Sequence, residues 1–499
     1  MGATYQKVKT GKDYISAECK DQTGKLSNYD VREGVLLLDH YDESADMLRQ
    51  SFRSSGFTGP AVVITEGGFL PDDVISLFRW FCRDTEDAVM PGTVKKPEAA
   101  DETEIREYRL RHAGFRLGKA RYFNQIELPD YWEISGNSSS AEIHDMQNLR
   151  GRIFYSPRSE NRFVSDVDWM NENGIVRFTD HYDGCGRLYS RTVFNRKGER
   201  FCRSWFDEYG RERIVENFVT NDITVTRNGK TQLFKNRTEL GVSMLRELGA
   251  DGKRIFYNSL SVPLFISERL KKPCNGDVLF WQEEPRGDIP GNMQMILNGG
   301  SNTSQIFVQN RTSFNNLAAL GASPEIIKPF GFVYNFTSAN SGGRDALICT
   351  NSDRIEYLDL LVRNLPDMTF HIAAVTEMSG KLLAFGRYAN VCLYPTVKKS
   401  VIEELFEKCD YYLDINRGIE ILSSVKRAFL SSQLILALRK TLHRQRYTAP
   451  ENIFTDGENL CRALSQTVSN IDLLKGRLKM QEKTAMSEDI SSFQELYKY

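Results

Sequence analysis

Short apolar runs alternate with helical periodicity along most of the chain. Val35–Leu38 and Ala61–Ile64 have the composition of buried strands, and Asp42–Ser54 between them places apolar residues at helical spacing. The same alternation resumes near residue 235, and a second series begins near Phe330. Strands that alternate with helices are typical of parallel sheets covered on both faces. The pattern therefore predicts an α/β fold with two Rossmann-like, doubly wound domains.

A twelve-residue repeat interrupts the first α/β series. Its glycines each follow an Asn or Asp by three positions: Gly174, Gly186, Gly198 and Gly210 follow Asn171, Asp183, Asn195 and Asp207. Asn or Asp opens a turn with its side chain, and glycine adopts the left-handed backbone of a bulged hairpin. The repeat predicts a five-stranded antiparallel β-meander over residues 163–218, inserted in the first domain. Because twelve is even, we expect equivalent positions to share one face of the sheet.

One face of the predicted meander carries arginines among aromatic side chains. The candidates for a partner interface on this face are Tyr189, Phe201, Trp205, Arg191 and Arg203. Arginine and aromatic residues are enriched at protein interfaces, and large aromatic residues dominate their hot spots, so Trp205 is the expected anchor. A solvated face with scattered aromatic residues fits the same pattern equally well.

These patterns divide the chain into six segments. They are a leader (1–34), the first part of the first Rossmann-like domain (35–107), the inserted β-meander domain (108–234), the second part of the first domain (235–330), the second Rossmann-like domain (331–475) and a charged tail (476–499).

Composition excludes several classes of protein. The 65 Lys and Arg residues balance 66 Asp and Glu residues, so a dedicated nucleic-acid binder is not expected. No apolar run approaches the about 18 residues of a membrane span, and no secretory signal pattern is present. The nine cysteines are widely spaced without a CxxC pair, which favours reduced thiols over structural zinc. We expect no metal.

Two tandem α/β domains suggest a GT-B nucleotide-sugar transferase or an oxidoreductase, with a cleft between the domains. The GxGxxG fingerprint of dinucleotide-binding enzymes is absent after the first strand, and so is a Walker P-loop. A sugar-donor diphosphate requires cations and helix N-termini in the second domain. The turn after Ile348 offers only Arg354, with Asp353 beside it, which is a poor diphosphate site.

Several strings in the chain resemble the GtfB family. They are LLLDHYDESADMLRQSF, GPAVVITEGGFLPDDVIS, GKARYFNQIELPDYWEI, VDWMNENGIVRFTDHYDGCGRLYSRTVF and LDINRGIEILSSVKRAF, followed by LILAL and HRQRYT. The resemblance covers about residues 35–475, with the motifs in the same order. Members of this family are the stabilising subunits of the O-GlcNAc transferase that serves the accessory Sec system of Gram-positive bacteria.

The resemblance implies a GT-B-like fold, no transferase activity in this chain alone, and no cofactor. It implies a GtfA-type catalytic partner joined through the β-meanders in a hetero-oligomer, expected to be a heterotetramer. The implied acceptor is a Ser/Thr-rich adhesin polypeptide that receives its first GlcNAc before export. The implied location is cytoplasmic, with peripheral association at the inner face of the cell membrane.

Active relatives carry two glutamates separated by seven residues at a helix start in the second domain. In this chain the position eight residues after Asn416 is Ser424, and eight after Glu420 is Ala428, so no register gives the pair. We therefore expect no catalytic residues. The residues that we expect to bind the acceptor are Asn335, Ser338, Asn351 and Ser352, with Thr337 and Asn340 beside them, although each is equally a turn residue.

Two alternatives remain open at the level of sequence. The first is an active GT-B glycosyltransferase with a variant donor site that uses Asp353, Glu377 or Glu420. The second is a sugar-binding or cell-envelope scaffold.

Overall fold

The computed structural model describes residues 31–83, 119–137, 139–158 and 161–498. The predicted leader and the start of the predicted meander domain lie largely outside the described residues. The chain forms two compact units. The first comprises the described residues through Val308, together with Thr312–Lys328 and the residues from Gln494, and the second comprises Gln309–Arg311 and Pro329–Phe493.

The first unit begins with three strands of a parallel sheet. They are β1 (Val35–His40), β2 (Ala61–Thr65) and β3 (Val74–Ser76). The helix Glu43–Ser54 between β1 and β2 begins at Asp42, whose side chain accepts a hydrogen bond from the Ala45 amide. Val74, Leu77, Phe78 and Phe81 have the spacing of a single helix, but Val74 belongs to a strand, and the helix that follows is short, Leu77–Phe81.

A ten-stranded antiparallel sheet follows, with its strands paired in simple chain order. The strands are β4 (Trp132–Gly136), β5 (Ser140–Asp145), β6 (Asn148–Tyr155), β7 (Val164–Met170), β8 (Val176–Tyr182), β9 (Leu188–Phe194), β10 (Arg200–Phe206), β11 (Glu212–Asn217), β12 (Ile223–Arg227) and β13 (Lys230–Phe234). The predicted five strands are β7 to β11, and the meander extends beyond them on both sides.

The chain then returns to the first parallel sheet. The returning strands are β14 (Ile255–Tyr257), β15 (Asp277–Trp281), β16 (Thr303–Val308) and β17 (Ile327–Pro329). The strand order β17-β16-β15-β14-β1-β2-β3 reverses direction between β1 and β14, as in a doubly wound sheet. The meander is therefore an insertion in this Rossmann-like domain. The accompanying helices are Arg237–Glu247, Val262–Arg269, Gly291–Leu297 and Arg311–Ala319.

The second unit contains a six-stranded parallel sheet in the order β20-β19-β18-β21-β22-β23. Its strands are β18 (Asp345–Thr350), β19 (Thr369–Ala374), β20 (Val391–Tyr394), β21 (Tyr411–Asp414), β22 (Leu434–Leu438) and β23 (Ile453–Phe454). The central strands are buried along their length, because helices cover both faces. The helices are Leu358–Asn364, Gly380–Leu383, Lys399–Lys408, Ser424–Leu430, Gly457–Ser469 and Ile471–Thr484.

The predicted tail is folded rather than a polar extension. The predicted boundary at residue 475 lies inside the helix Ile471–Thr484, and a last helix, Ile490–Tyr497, follows. In the first unit, the Tyr497 hydroxyl donates to the Ser55 carbonyl at 2.6 Å, and its ring centroid lies 5.2 Å from that of Phe57.

A β-bulge in each of the four hairpins from β7 to β11 places equivalent repeat positions on opposite faces of the meander. Tyr182 pairs with Leu188, but His181 pairs with Ser190, so β9 gains one residue beside the turn. The same one-residue shift occurs in the hairpins of β7–β8, β9–β10 and β10–β11. The prediction that residues twelve apart share a face is therefore wrong, because each bulge reverses the alternation of side chains along the next strand.

The cysteines follow the sequence prediction at seven described positions. Cys82, Cys202, Cys274, Cys349, Cys392, Cys409 and Cys461 are free thiols. The prediction of reduced cysteines is wrong at Cys185, which is disulfide-bonded. Cys19 lies outside the described residues.

Candidate functional site

Polar residues converge where β18 and β21 end at the carboxyl edge of the second sheet. The buried Thr350 hydroxyl, at the end of β18, donates to Asn416 Oδ1 at 2.7 Å. The same oxygen accepts from the Gly418 amide at 3.1 Å, which ties the loop after β21 to the end of β18. The carboxyl ends of parallel strands are the usual ligand-binding edge of a doubly wound sheet. This edge is therefore the position at which donor chemistry is expected.

An ion pair between Asp414 and His443 lies at the centre of this edge. Asp414 ends β21 with its side chain buried, and His443 Nδ1 lies 2.5 Å from Asp414 Oδ1. His443 Nε2 lies 2.7 Å from the Gly418 carbonyl oxygen. The hydrogen bond to Asp414 raises the pKa of His443 to about 9. His443 is therefore an imidazolium at neutral pH, and both ring nitrogens donate.

Glu420 precedes the neighbouring helix Ser424–Leu430, and its side chain binds the first turn of that helix. Its Oε1 accepts from the Val425 amide at 3.0 Å, and its Oε2 accepts from Arg444 Nε at 2.5 Å. A third ion pair joins Glu356 to Arg417. Each of these three carboxylates has its own cation, so the three ion pairs together are electrically neutral.

This neutral arrangement is unsuited to a nucleotide diphosphate. A transferase stabilises the departing diphosphate with preorganised positive charge and with amides at helix starts. Here the Val425 amide and the Arg444 guanidinium bind Glu420. Arg354 is exposed in the turn after β18, with its amide donating to the Ser352 hydroxyl. A diphosphate would have to displace a carboxylate from its partners at a net electrostatic cost.

The carboxylates proposed for a variant donor site are not arranged as a catalytic pair. Asp353 accepts from the Ser379 hydroxyl at 3.2 Å, and Glu377 is exposed. Glu420 is held by Val425 and Arg444 as described above. The geometry therefore favours structural roles for Asp353 and Glu420.

The predicted acceptor-binding residues separate into two groups. Asn351 and Ser352 lie at the carboxyl edge of the second sheet, where the Ser352 amide donates to Thr350 Oγ1 at 2.9 Å. An added Cβ at Gly418 would lie 1.9 Å from Asn351 Oδ1, so glycine allows the two loops to approach. Asn335 is exposed on the segment that enters the second unit.

Ser338 lies at the opposite, amino edge of this sheet. Its hydroxyl donates to the Ser431 carbonyl at 3.0 Å, and its own carbonyl accepts from the Ser432 hydroxyl at 2.7 Å. Asn340 donates to the carbonyl oxygens of Asp410 and Ser432. These bonds fasten the entering segment to the sheet, so Ser338 is a structural residue and does not join Asn351 and Ser352 in one site.

The sequence offered Asp414 and Asn416 only as possible registers of the glutamate pair, and the contact of Asp414 with His443 was not predicted. All three occur in the strings LDINRGIEILSSVKRAF and HRQRYT, which carried the family resemblance. The available signal was an acid that ends one buried strand and a histidine that follows the next strand. Asp414 and His443 are 29 residues apart in the sequence, so their contact, which results from the pairing of two adjacent parallel strands, is not visible in the sequence.

The predicted partner-interface residues also occupy different environments. Trp205 is only 2% exposed and packs against the first Rossmann-like domain of the same chain, and Tyr189 is 6% exposed. Arg203 pairs across the sheet with Thr192, whereas Arg191 pairs with Asp180, so the two arginines lie on opposite faces. Phe201, at a bulge, remains 47% exposed. The structure thus removes Trp205 and Tyr189 from the candidate surface and retains Phe201.

Exposed apolar side chains instead collect at one end of the meander. We call this set the distal rim: Tyr131, Met146, Ile175, Phe201, Val219 and Leu233, which are 39–92% exposed. Tyr131 lies immediately before β4, beside the end of β5. The next four lie in or beside the turns β5–β6, β7–β8, β9–β10 and β11–β12, and Leu233 lies near the end of β13. At the opposite end, the Gly184 amide donates to the Gly68 carbonyl of the first Rossmann-like domain.

None of the described helices is both long and apolar enough to span a membrane. Within the described ranges, no cluster of three or more His, Cys, Asp or Glu side chains is arranged to hold a metal ion.

Comparison with known proteins places this architecture in a family. Family models for the GtfB N-terminal, middle and third domains match residues 35–81, 132–235 and 237–320, and a GftB/GlyA-F C-terminal domain model matches 346–481. A UDP-N-acetylglucosamine–peptide N-acetylglucosaminyltransferase stabilizing protein GtfB from Streptococcus agalactiae is 35% identical over 466 residues, covering 93% of this chain and 98% of the relative. The chain belongs to the GtfB family.

Other GtfB relatives agree with this assignment. The stabilizing protein GtfB of Streptococcus gordonii is 34% identical, covering 92% of this chain and 97% of its own. A chain in a crystal structure of a GtfA/B complex bound to UDP and GlcNAc is 33% identical, with a TM-score of 0.79 over 93% of this chain and 99% of that chain. The family resemblance and the GT-B-like α/β fold class predicted from sequence are both confirmed.

Proposed function

We propose that this chain is a non-catalytic subunit that stabilises a GtfA-type protein O-GlcNAc transferase and binds its acceptor polypeptide. The observation that carries the proposal is the neutral carboxyl edge of the second sheet, where Glu420 occupies both the helix-start amide of Val425 and the Arg444 guanidinium. The GtfB relatives, named as stabilizing proteins of such a transferase, support the same role.

The proposed substrate of the assembled enzyme is a Ser/Thr-rich adhesin polypeptide, which receives its first GlcNAc before accessory Sec export. Such a polypeptide is disordered and orders only on binding, so each short segment binds weakly. A second binding subunit tethered to the catalytic subunit raises the local concentration of acceptor. This gain explains why a transferase fold without donor chemistry is retained. Asn351 and Ser352 remain candidates for acceptor contact.

The proposed contact with the catalytic partner is the distal rim of the meander, in a hetero-oligomer that we take to be a heterotetramer. The rim offers exposed apolar side chains on six separate segments, the composition of a protein-binding patch. At the opposite end of the meander, the turn at Gly184 contacts the Rossmann-like domain of the same chain. The proposed location is the cytoplasm, peripherally at the inner face of the membrane.

A transfer assay tests the catalytic part of the proposal. Radiolabelled UDP-GlcNAc and an unmodified Ser/Thr-rich polypeptide are incubated with this chain, with the GtfA-type partner, and with both. We expect no label transfer by this chain alone and more transfer by the mixture than by the partner alone. Transfer by this chain alone supports instead the variant-donor enzyme. A partner that is equally stable and active without this chain contradicts the stabilising role.

A further inference from the structure

A separate cavity lies in the first unit, at the carboxyl ends of β14 and β15. Its volume is about 350 Å³, and its polar lining includes Ser259, Ser261, Trp281, Glu283 and Asn292. This volume is within the range of about 300–1,000 Å³ found for ligand sites. An added Cβ at Gly291, which also lines the cavity, would meet no atom within 4 Å, so the space beside this residue is open.

The cavity adjoins the point at which the strand order of the first sheet reverses. That point lies between β1 and β14. Two hydrogen bonds span it: the Ser259 hydroxyl donates to Asp39 Oδ2 at 2.9 Å, and the Asp39 amide donates to Asn258 Oδ1 at 2.9 Å. Ligands of doubly wound sheets bind in the crevice outside the strands at this reversal. The cavity is therefore in the position that the topology favours for a ligand.

The lining presents hydrogen-bonding groups without an excess of charge. Glu283 and Arg286 form an ion pair, and the Arg286 guanidinium lies 5.9 Å from the Trp281 ring centroid. Neutral ligands are favoured, because an anionic ligand would have to compete with Glu283 for Arg286. Trp281 is 2% exposed and lines the cavity.

Two more polar side chains are available to a ligand. Ser261 precedes the helix Val262–Arg269 but makes no side-chain capping bond, so its exposed hydroxyl is not used by the helix. Asn292 uses its amide nitrogen to donate to the Leu260 carbonyl at 3.0 Å, which fixes the direction of its side chain. The cavity therefore combines fixed hydrogen-bonding groups with the apolar ring of Trp281.

We propose that this cavity binds a short extended segment of unmodified acceptor polypeptide whose side chains are small and hydroxyl-bearing. An extended backbone supplies carbonyl oxygens for the hydroxyl donor of Ser261, and its side chains can pack on the Trp281 ring. Small side chains suit a volume near the lower end of the range for ligand sites. This assignment rests on the proposed acceptor-binding function and names a place for it on the first Rossmann-like domain.

The test measures binding of a fluorescein-labelled, unmodified Ser/Thr-rich peptide to the full chain by fluorescence anisotropy. Ser261→Phe narrows the cavity mouth, and Trp281→Phe keeps an aromatic ring while reducing the surface on which peptide side chains pack. Ser243→Phe is the matched control, because Ser243 lines a different surface hollow in the same unit. Thermal unfolding and association with the GtfA-type partner are measured for every variant to verify the fold.

We expect Ser261→Phe and Trp281→Phe each to weaken peptide binding at least fivefold, with Ser243→Phe and partner association unchanged. Unchanged peptide affinity in both cavity variants overturns the proposal, and so does binding of a GlcNAc-modified peptide alone. If the wild-type chain binds no peptide but still increases transfer by the partner, this site assignment fails while the stabilising function stands. Failure to increase transfer contradicts the proposed function independently of the cavity.

Discussion

Phe78 and Trp205 stack face to face, with ring centroids 3.9 Å apart and ring planes inclined by 4°. Phe78 belongs to the helix Leu77–Phe81 of the first Rossmann-like domain, and Trp205 belongs to β10 of the meander. The Arg203 guanidinium lies 4.9 Å from the Trp205 ring centroid, on the meander side of the stack. The stack therefore joins the inserted meander to the domain that receives it, and both belong to one core.

Replacing Trp205 with Ala is expected to destabilise the first unit. The buried indole packs fully, and truncating a buried Trp to Ala typically costs ~3–5 kcal/mol because a cavity remains. Denaturant unfolding of the two chains measures the difference. Phe201→Ala is the control, since Phe201 is 47% exposed and is expected to change unfolding by less than about 1 kcal/mol. Equal unfolding midpoints for wild type and Trp205→Ala would refute the core assignment.

Replacing Arg79 with Met is expected to destabilise the same junction, because the substitution removes the cation that pairs with two buried carboxylates. Arg79 Nε donates to Glu66 Oε1 at 2.5 Å, and Arg79 Nη1 lies 3.2 Å from Asp183 Oδ2. Both carboxylates are 1% exposed, so removal of the cation leaves them buried without this partner. Breaking a buried ion pair from one side costs ~3–5 kcal/mol. Denaturant unfolding measures this loss.

Arg211→Met is the matched control for Arg79→Met. Arg211 also pairs with an aspartate in a hairpin, Asp207, but its side chain is 56% exposed. Exposed ion pairs contribute about 0–1 kcal/mol. Similar losses in the two variants would show that the Arg79 network does not hold the junction.

The sequence predicted the two doubly wound domains and the inserted meander because their signals are local. Buried strands such as Leu434–Leu438 are continuous apolar runs, and the Asn/Asp-to-Gly spacing marks each hairpin. The four repeat glycines have φ between 73° and 80°, as the turn chemistry requires. Local signals of this kind do not depend on which other part of the chain packs nearby.

The faces of the meander were not predictable from the repeat length alone. The bulge beside each turn adds one residue to the pairing, and the repeat period of twelve conceals it. The Asp414–His443 pair was missed for a related reason. Adjacent parallel strands are connected by a long crossover, so residues at their carboxyl ends are close in space but far apart in sequence. Trp205 was assigned to a surface because a sequence shows that a face is aromatic without showing what covers it.

Alanine substitutions at two hairpin glycines distinguish the effect of backbone strain from that of steric crowding. Gly186 and Gly198 have φ of 76° and 80°, so alanine at either position costs ~1–2 kcal/mol in the left-handed region. A Cβ at Gly186 would lie 2.6 Å from the Lys119 carbonyl oxygen, whereas a Cβ at Gly198 would meet nothing within 4 Å. We expect Gly186→Ala to destabilise more than Gly198→Ala in denaturant unfolding. The reverse order would contradict the close approach of Lys119.

The stability of the second unit is expected to decline at alkaline pH, because His443 loses its proton. The hydrogen bond to Asp414 raises the pKa of His443 from 6.5 to about 9 in the folded chain. Because the pKa is higher in the folded chain, protonated His443 contributes its full stabilisation of the folded state below about pH 6.5. This stabilisation is lost as the pH rises through about 9. Urea unfolding between pH 6 and 10 should show this loss.

His443→Gln provides the control for the alkaline loss. Glutamine removes the titrating group, so the difference in unfolding free energy between wild type and variant should shrink from pH 6 to pH 10. An NMR titration of the His443 ring reports its pKa directly. A value near 6.5 would contradict the strength of the Asp414 contact.

The distal rim supplies the last prediction, on partner association. Met146 and Val219 are 86% and 67% exposed in two turns of the rim, so substitution does not disturb a core. Apolar residues central to an interface commonly contribute ~1–2 kcal/mol or more, and a charge placed there adds a desolvation cost. If the GtfA-type partner binds the rim, Met146→Asp and Val219→Asp should each weaken the complex about tenfold or more, as measured by calorimetry. Phe154→Asp is the control, because Phe154 is 40% exposed near the opposite end of the sheet. A loss with Phe154→Asp alone would place the partner at that end instead.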